Sequence, residues 1–268
     1  MNDYIIEELP DRVSSAFHTF SDKIRGKYRT VNWMYTINYK NNIPTNKSDA
    51  REFSHAFGNW IRDCESLVRE NSIVIDIGAF TGDTTLPLAF LAGQKGKVLG
   101  FEPNPINYAE FVRNVACNPS VNIDPYNCAI MPESGEYDFL YMTDSHGAKN
   151  GGPAGAGLWT EITKAYPEKE RYKAVNLEKL LLERYNSLEN VSLVKCDSEG
   201  YDVPIILSMQ NLIKKSKPNI IIEWLPTVEN ALIHLIKTIN YKPVNIETRE
   251  EIEITPQNRV QDVLLMPV

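Results

Sequence analysis

From residue 72 onward, the sequence alternates between short apolar runs and longer amphipathic segments, and few folds accommodate such an alternation. The runs typical of buried strands are 72–77, 97–101, 191–196 and 219–224. The segments with helical periodicity that follow them are 83–92, 106–116, 203–214 and 228–239. Strands that alternate with helices are joined by right-handed crossovers and form a mainly parallel sheet. The sequence therefore predicts an α/β protein with a doubly wound, Rossmann-like sheet.

Weaker strand signals complete this pattern. Residues 121–127, 137–142 and 173–175 have strand character. The last two runs, 242–246 and 260–266, follow one another without a long helix between them. We therefore expect an antiparallel hairpin at the C-terminal edge of the sheet.

The N-terminal part of the chain has a different pattern. Apolar residues recur at helical spacing at Val13, Phe17, Phe20 and Ile24. A second apolar stripe over 53–68 follows Asp49, a residue type that caps helices. We predict a helical N-terminal extension or cap over 1–70, packed on a main domain over 71–268. A further hypothesis is that this segment also walls a substrate pocket.

Charge and composition exclude several classes of partner. The 268 residues include 28 Lys plus Arg against 35 Asp plus Glu, a formal charge of −7. Nucleic-acid binders usually carry a basic excess, so we expect no nucleic-acid partner. No signal peptide is visible, and no apolar run approaches the ~20 residues that span a bilayer. We expect a cytoplasmic protein with no membrane partner, and we expect its four scattered cysteines to be reduced thiols.

The sharpest motif is a glycine-containing turn that follows the strand 72–77. The sequence runs Asp76-Ile-Gly78-Ala79-Phe80-Thr-Gly82 and leads directly into a helix. Glycines at this place let the backbone approach a ligand at the carboxyl edge of the sheet. A dinucleotide fingerprint has a glycine where this chain has Asp76, whose carboxylate would repel a pyrophosphate. The acid suits a cationic ligand, such as the amino group of S-adenosylmethionine beside its sulfonium.

Glu102 supports the same interpretation. It ends the next strand, and an acid at this position accepts hydrogen bonds from both ribose hydroxyls of an adenosine. The combination of turn, helix, strand and acid predicts a methyl-donor site.

A second acidic group follows the strand 191–196. Asp197 is expected to point into the same crevice, where a carboxylate could remove the proton of an attacking hydroxyl or hold a divalent metal. For Asp202 we favour a helix N-terminus that carries favourable negative charge, and Glu199 could have the same role. Glu223 either completes an acidic rim or is a surface acid. The metal dependence stays open.

One histidine and one glycine-rich segment are further candidates. His146 is the only one of the four histidines with a plausible role as a base, because it opens the segment 146–157 with its five glycines. That segment is either a flexible surface loop or a mobile lid over a ligand.

These motifs together resemble the FkbM-type methyltransferases. The residues that carry the resemblance are Val74–Ala79, Phe101–Pro105, Asn127–Ile130, Val194–Asp202 and Pro218–Glu223. The resemblance implies a class I S-adenosylmethionine-dependent fold and O-methylation of a sugar, glycan or similar hydroxylated small molecule. By position it implies that Asp76, Gly78 and Glu102 bind the donor. It also places Asn127, Cys128 and Ala129 near the adenine, and Asp197 and Glu199 in the acceptor half.

Two alternatives remain open at this stage. Fold alone does not fix function, so a dinucleotide-binding oxidoreductase and a non-catalytic regulatory module with the same fold are both compatible with the alternation. The oligomeric state is not predicted.

Overall fold

A computed structural model of the chain describes residues 5–8, 13–40, 43–44, 58, 60–143, 149–153, 168–225 and 228–268. The strands within these residues are β1 (Ile5–Glu8), β2 (Val13–Ile24), β3 (Lys27–Lys40), β4 (Ile43–Pro44), β5 (Ile73–Ile77), β6 (Lys97–Phe101), β7 (Ile123–Tyr126), β8 (Ala129–Ile130), β9 (Gly135–Thr143), β10 (Lys149–Pro153), β11 (Glu168–Val175), β12 (Val191–Cys196), β13 (Asn219–Glu223), β14 (Tyr241–Asn245) and β15 (Asp262–Pro267). The α-helices are α1 (Ile61–Cys64), α2 (Thr85–Ala92), α3 (Pro105–Ala116), α4 (Leu177–Tyr185), α5 (Asp202–Leu207), α6 (Gln210–Ser216) and α7 (Glu229–Ile239).

A central sheet of seven strands organises the molecule, in the order β14-β15-β13-β12-β5-β6-β7. The pairs from β13 through β12, β5 and β6 to β7 are parallel, whereas β15 is antiparallel to both β13 and β14. The predicted doubly wound sheet and its antiparallel C-terminal hairpin are therefore confirmed. Strand order reverses between β5 and β12, and ligands bind outside the carboxyl ends of the strands at such a reversal.

Helix α2 shows how tightly one face of this sheet is covered. All eight of its residues are buried, which is typical of a helix enclosed on every side. Its side chains belong to one apolar cluster with Val74 and Val98 of the sheet. The same cluster includes Val31 and Trp33 of β3. The helix is therefore held between the sheet and the N-terminal part of the chain.

That N-terminal part corrects the prediction of a helical extension. Residues 13–24 and 27–40 form a long antiparallel hairpin, joined by Arg25 and Gly26 with φ values of 50° and 70°. Two consecutive positive φ values match the right-handed twist of the flanking strands, which makes a tight two-residue turn favourable. The helical spacing of the four apolar residues in β2 was coincidental. Strand formers such as Thr, Tyr, Val and Trp dominate β3, and β2 pairs with β3 along its whole length.

Other element predictions need smaller corrections. Residues 149–153, predicted within a loop or lid, form β10 and pair with β9, whereas 144–148 and 154–157 lie outside the described residues. The helix predicted over 203–214 is two helices, α5 and α6, separated at Ser208 and Met209. Of the second N-terminal helix, predicted over 53–68, α1 is observed, and 53–57 and 59 lie outside the described residues. The domain boundary at residue 70 stays a prediction.

All four cysteines are free, and Cys64, Cys128 and Cys196 are buried. In the part of the chain that the structure describes, no helix has the length and apolar character needed to cross a membrane.

Candidate functional site

The carboxyl ends of β5 and β12 touch at the point where the strand order reverses. The amide of Asp197 donates to the carbonyl oxygen of Ile77 at 3.0 Å. Gly78 has φ 78°, and a Cβ placed on it would lie 1.9 Å from the carbonyl oxygen of Asp197. Only glycine fits this contact, so the predicted donor turn and the predicted acceptor residue are adjacent.

Backbone hydrogen bonds fix the turn after β5. The amides of Gly78 and Ala79 both donate to the carbonyl oxygen of Phe101, at 3.0 and 2.9 Å. Phe80 has φ 48° and Gly82 has φ 94°. A Cβ on Gly82 would lie 2.7 Å from the ring of Phe111, so this glycine too is required by close packing. The turn thus has a set shape before any ligand binds.

Glu102 closes the next strand and faces this turn. Its side chain is 6% exposed. One carboxylate oxygen accepts from the amide of Phe80 at 3.0 Å, and the other accepts from the amide of Asn104 at 2.8 Å. Burial raises the pKa of Glu102 from 4.5 to about 8, although these hydrogen bonds act in the opposite direction. The carboxylate is therefore positioned by the backbone on both sides.

The three residues after β7 lie beside Glu102. The side-chain amide of Asn127 donates to the carbonyl oxygens of Glu102 and Pro103, at 3.0 and 3.1 Å. Cys128 and Ala129 are buried, and burial raises the pKa of Cys128 to about 11. Asn127 and Cys128 line a pocket of about 270 Å³. The segment predicted to lie near an adenine therefore borders both an acid and a cavity.

Polar atoms without partners surround the turn. Around the turn, three buried side-chain atoms of the described residues have no hydrogen-bond partner: Asp76 Oδ1, Thr81 Oγ1 and Asn104 Nδ2. Buried polar groups are normally paired, so Thr81 Oγ1 and Asn104 Nδ2 have unused hydrogen-bonding capacity, whereas Asp76 Oδ1 faces the ammonium of Lys195. Together with Glu102 and the glycine turn, Thr81 and Asn104 offer hydrogen-bonding groups of the kind that a ligand with ribose hydroxyls needs.

Asp76 is enclosed rather than open to the crevice. Its carboxylate is 0% exposed. Oδ2 accepts from the hydroxyls of Thr84 and Thr85, at 2.9 and 2.5 Å, and Oδ1 lies 3.7 Å from the ammonium of Lys195. Burial raises the pKa of Asp76, against the effect of that ammonium. The sequence predicts a ligand cation opposite Asp76, whereas the neighbouring cation in the structure is Lys195. The contact of Asp76 with a donor therefore stays a prediction.

Lys195 connects the two predicted acids of the crevice. It is directly opposite Asp76 in the β5–β12 ladder, and its ammonium lies 3.3 Å from Asp197 Oδ2. Burial alone would lower the pKa of Lys195, but Asp197, Asp76 and Asp83 more than offset it, and the pKa is raised. Asp197 is 40% exposed while Lys195 is 7% exposed. A buried ammonium thus holds one carboxylate inside the protein and another at its surface.

The loop after Asp197 is wound around Asp202. The carboxylate of Asp202 accepts from the amides of Ser198 and Gly200, at 2.9 and 3.1 Å. Glu199 and Gly200 both have positive φ, 57° and 92°. Asp202 is the first residue of α5, in agreement with the predicted helix N-terminus. For Glu199, a left-handed conformation in a residue other than glycine marks a position under constraint, as is frequent at functional sites.

Glu223 and Asp262 extend the acidic rim. They are directly opposite each other in the β13–β15 ladder, so their side chains emerge on the same face. Burial, followed by the charges of Asp197 and Glu199, raises the pKa of Glu223 from 4.5 to about 8. One oxygen of Glu223 is buried and has no hydrogen-bond partner in the described part of the chain. Carboxyl groups are thus so crowded along the rim that Glu223 keeps its proton at neutral pH.

Sequence reasoning missed Lys195 and Asp262. A lysine inside a six-residue strand whose residues are all buried was a usable signal, because such a lysine needs a carboxylate partner. Asp262 gave no signal, since only the register of β15 against β13 brings it to Glu223. His146 lies outside the described residues. Among those residues, no group of three or more His, Cys, Asp or Glu side chains could hold a metal ion.

A protein family is identified by comparison with known proteins. The family model described as the methyltransferase FkbM domain matches residues 76–241, more than half of the 268-residue chain. A search of curated proteins finds no match.

Several solved structures are similar in fold. A methyltransferase FkbM from Methylobacillus flagellatus KT has 12% identity and a TM-score of 0.45, over 81% of this chain and 59% of that one. This chain thus spans less than two thirds of that structure. Fibrillarin from Aeropyrum pernix, solved with natively bound S-adenosyl-L-methionine, has 11% identity and a TM-score of 0.45, over 99% of this chain and 100% of that one. A precorrin-6y C5,15-methyltransferase from Geobacter metallireducens GS-15 has 11% identity and a TM-score of 0.45, over 78% and 87%.

Proposed function

This chain belongs to the FkbM methyltransferase domain family, and from that premise we propose that it is an S-adenosylmethionine-dependent O-methyltransferase. Its acceptor is a hydroxyl of a sugar, a glycan or a similar small molecule. The observation that carries the proposal is the contact of Gly78 with the backbone of Asp197. This contact brings a turn suited to the donor next to a carboxylate suited to an acceptor hydroxyl.

The donor half of the site consists of the turn 78–82, Glu102 and 127–129. Glu102 is placed to accept from the ribose hydroxyls, because two backbone amides already orient its carboxylate. Gly78 and Gly82 allow the backbone to approach the donor closely. The side-chain amide of Asn127 donates to the carbonyl oxygen of Glu102. This hydrogen bond fixes the position of the adenine side of the site relative to the ribose side. When bound, the donor supplies an electrophilic methyl group on a sulfonium.

The acceptor half consists of 197–202, Glu223 and Asp262. Asp197 is placed to accept the proton of the acceptor hydroxyl when the hydroxyl oxygen attacks the methyl group that a bound donor would supply. Lys195, 3.3 Å from Asp197, holds the carboxylate in place and keeps it from turning away from the crevice. The loop geometry set by Asp202 fixes Glu199 beside Asp197. Alignment of the donor with the acceptor hydroxyl supplies the remaining rate acceleration.

Charge supports a small, uncharged acceptor. The formal charge of −7 and the acidic rim of the acceptor half disfavour a polyanion such as nucleic acid. The rim carries Asp197, Glu199, Asp202 and Glu223 on one end of the sheet. Hydroxyl groups donate hydrogen bonds to such carboxylates without charge repulsion.

The test is the release of S-adenosylhomocysteine by Asp197→Asn and by the native protein, with a panel of methyl glycosides. We expect turnover to fall about 10²- to 10⁴-fold, the range that a general base contributes, while donor affinity by calorimetry stays unchanged. Asp138→Asn, which removes a partly exposed carboxylate bound to Lys169, is the matched control. Unchanged turnover in Asp197→Asn would place the base elsewhere.

The release assay, together with measurements of the melting temperature, separates the alternatives. If the protein binds the donor but releases no S-adenosylhomocysteine with any acceptor of the panel, a non-catalytic regulatory module is favoured. A larger rise of the melting temperature with NAD than with S-adenosylmethionine would favour a dinucleotide-binding oxidoreductase, which the family match does not support.

A further inference from the structure

A second pocket lies at the same edge of the sheet as the acceptor half. Its volume is about 620 Å³, within the range of small-molecule sites. One wall comes from Trp60, Arg62 and Asp63 at the start of α1, and the opposite wall from Glu247, Gln261 and Asp262 around β14 and β15. We name this cavity the α1–β15 pocket.

Asp262 connects this pocket to the acceptor half. It lines the α1–β15 pocket and is also directly opposite Glu223 in the ladder between β13 and β15. Its charge acts on Lys195, the residue that holds Asp197. A ligand in the pocket would therefore reach the acceptor half along a continuous row of side chains on one face of the sheet.

The charges of the pocket define the ligand it can accept. Three carboxylates line it, those of Asp63, Glu247 and Asp262. The guanidinium of Arg62 is bound to Asp22 at 2.6 Å, so its charge is already balanced by the N-terminal hairpin. An anionic ligand would meet several like charges, whereas hydroxyl groups can donate to the carboxylates and to the Gln261 amide oxygen.

The shape of the lining agrees with this chemistry. Trp60, Ile246 and Val260 supply apolar surface beside the polar groups of the pocket. A few polar groups beside an aromatic side chain are what fix the orientation of a small ligand in a pocket. A saccharide presents both hydroxyl groups and apolar C–H faces, and it carries no charge.

We propose that the α1–β15 pocket binds the non-reacting part of an uncharged saccharide acceptor and excludes phosphorylated sugars. The proposal rests on the proposed function, because it names the acceptor class of the same site. The pocket anchors the sugar rings, and the hydroxyl to be methylated extends past Asp262 towards Asp197.

The experiment measures binding directly, by saturation-transfer NMR on the full chain without donor. The ligands are the methyl glycosides of glucose, galactose, mannose and rhamnose, together with glucose 6-phosphate and mannose 6-phosphate. We expect the native protein to bind at least one methyl glycoside and to bind the phosphates more weakly. Tighter binding of the phosphates, or no binding of any methyl glycoside, overturns the proposal.

Two variants test the location. Gln261→Leu removes a hydrogen-bonding group, and we expect it to weaken glycoside binding about tenfold. Glu247→Lys reverses a charge, and we expect it to bring the affinity for the sugar phosphates up to that for the glycosides. Glu189→Lys is the control, because Glu189 is exposed and precedes β12 at the opposite end of the sheet. Variants that bind as the native protein does would overturn the proposal.

Failure of this proposal is distinguishable from failure of the proposed function. If methyl glycosides are methylated with a KM that neither variant changes, the pocket assignment is wrong and the methyltransferase proposal stands. If the variants weaken glycoside binding but no glycoside is ever methylated, the pocket assignment stands and the proposed reaction is wrong.

Discussion

The acidic side chains of the donor half and of the acceptor half of the crevice have opposite surroundings. In the donor half, Glu102 is surrounded by hydrogen-bond donors from the backbone. In the acceptor half, Glu223 is surrounded by other acids and keeps one oxygen without a partner in the described residues. The donor half is thus pre-organised for one ligand, whereas the acceptor half holds electrostatic strain that a hydroxyl-bearing ligand can relieve.

Lys195 is the residue at which the two halves meet, so its removal is expected to have the largest effect. Lys195→Met leaves Asp76 buried without its cation, and breaking a buried pair in this way costs about 3–5 kcal/mol. Denaturant unfolding measures this loss. Lys97→Met is the control, because the Lys97–Asp124 pair is partly exposed and such pairs contribute about 0–1 kcal/mol. Equal losses in the two variants would contradict a special role for Lys195.

The contact between the halves can be changed from the backbone side through Gly78. Gly78→Ala adds the cost of a left-handed residue, roughly 1–2 kcal/mol, to a clash with the carbonyl oxygen of Asp197 that costs typically about 1–3 kcal/mol. We expect loss of donor binding by calorimetry together with a lower free energy of unfolding. Gly26→Ala separates the two costs, since Gly26 has φ 70° and no atom near its Cβ position. If both variants bind the donor equally well, the contact is not needed for the donor site.

Within the donor half, the prediction concerns pH. The pKa of Glu102 is raised to about 8 by burial, and the ribose hydroxyls bind its ionised form. Donor affinity should therefore rise as the pH rises towards 8, with release of a proton. In Glu102→Gln this dependence should disappear, with a loss of about tenfold at high pH, equivalent to about one pKa unit. Calorimetry in buffers of different ionisation enthalpy measures the proton release. Asn107→Asp cannot replace Glu102→Gln in this test, because it adds a charge beside Glu102.

Stability gives an independent readout of the same group. Between pH 4.5 and about 8, the folded state keeps a proton on Glu102 that the unfolded state has released. Because the folded state binds more protons there, the free energy of unfolding falls as the pH rises through this window. Glu102→Gln should make that slope shallower. A slope that is identical in both proteins would mean that Glu102 is ionised throughout.

The sequence predicted the sheet and the glycine turn after β5 because local signals encode both. Strands such as Asn219–Glu223 are short and β-branched, and the glycine turn has few alternative conformations. The N-terminal hairpin was wrongly predicted as a helix because four apolar residues fit a helical period by chance, while Gly26 marked a tight turn. The Lys195 contacts and the Asp262–Glu223 pair depend on strand register, which no short stretch of sequence determines.

The docking of the N-terminal hairpin has a consequence for how this chain can vary. Asn118 accepts from the amide of Asn32 and donates to its carbonyl oxygen, at 2.8 and 2.6 Å, and Asn114 accepts from the amide of Met34 at 2.7 Å. Asn114 of α3 and Asn118, which lies two residues past the end of that helix, thus bind main-chain groups of β3 as a neighbouring strand would. The hydrogen bond at Met34 uses only its main-chain amide, whereas the side-chain amide of Asn32 also donates to the carbonyl oxygen of Cys117 at 3.1 Å. The hairpin sequence can therefore be exchanged at position 34 with less loss of attachment than at position 32.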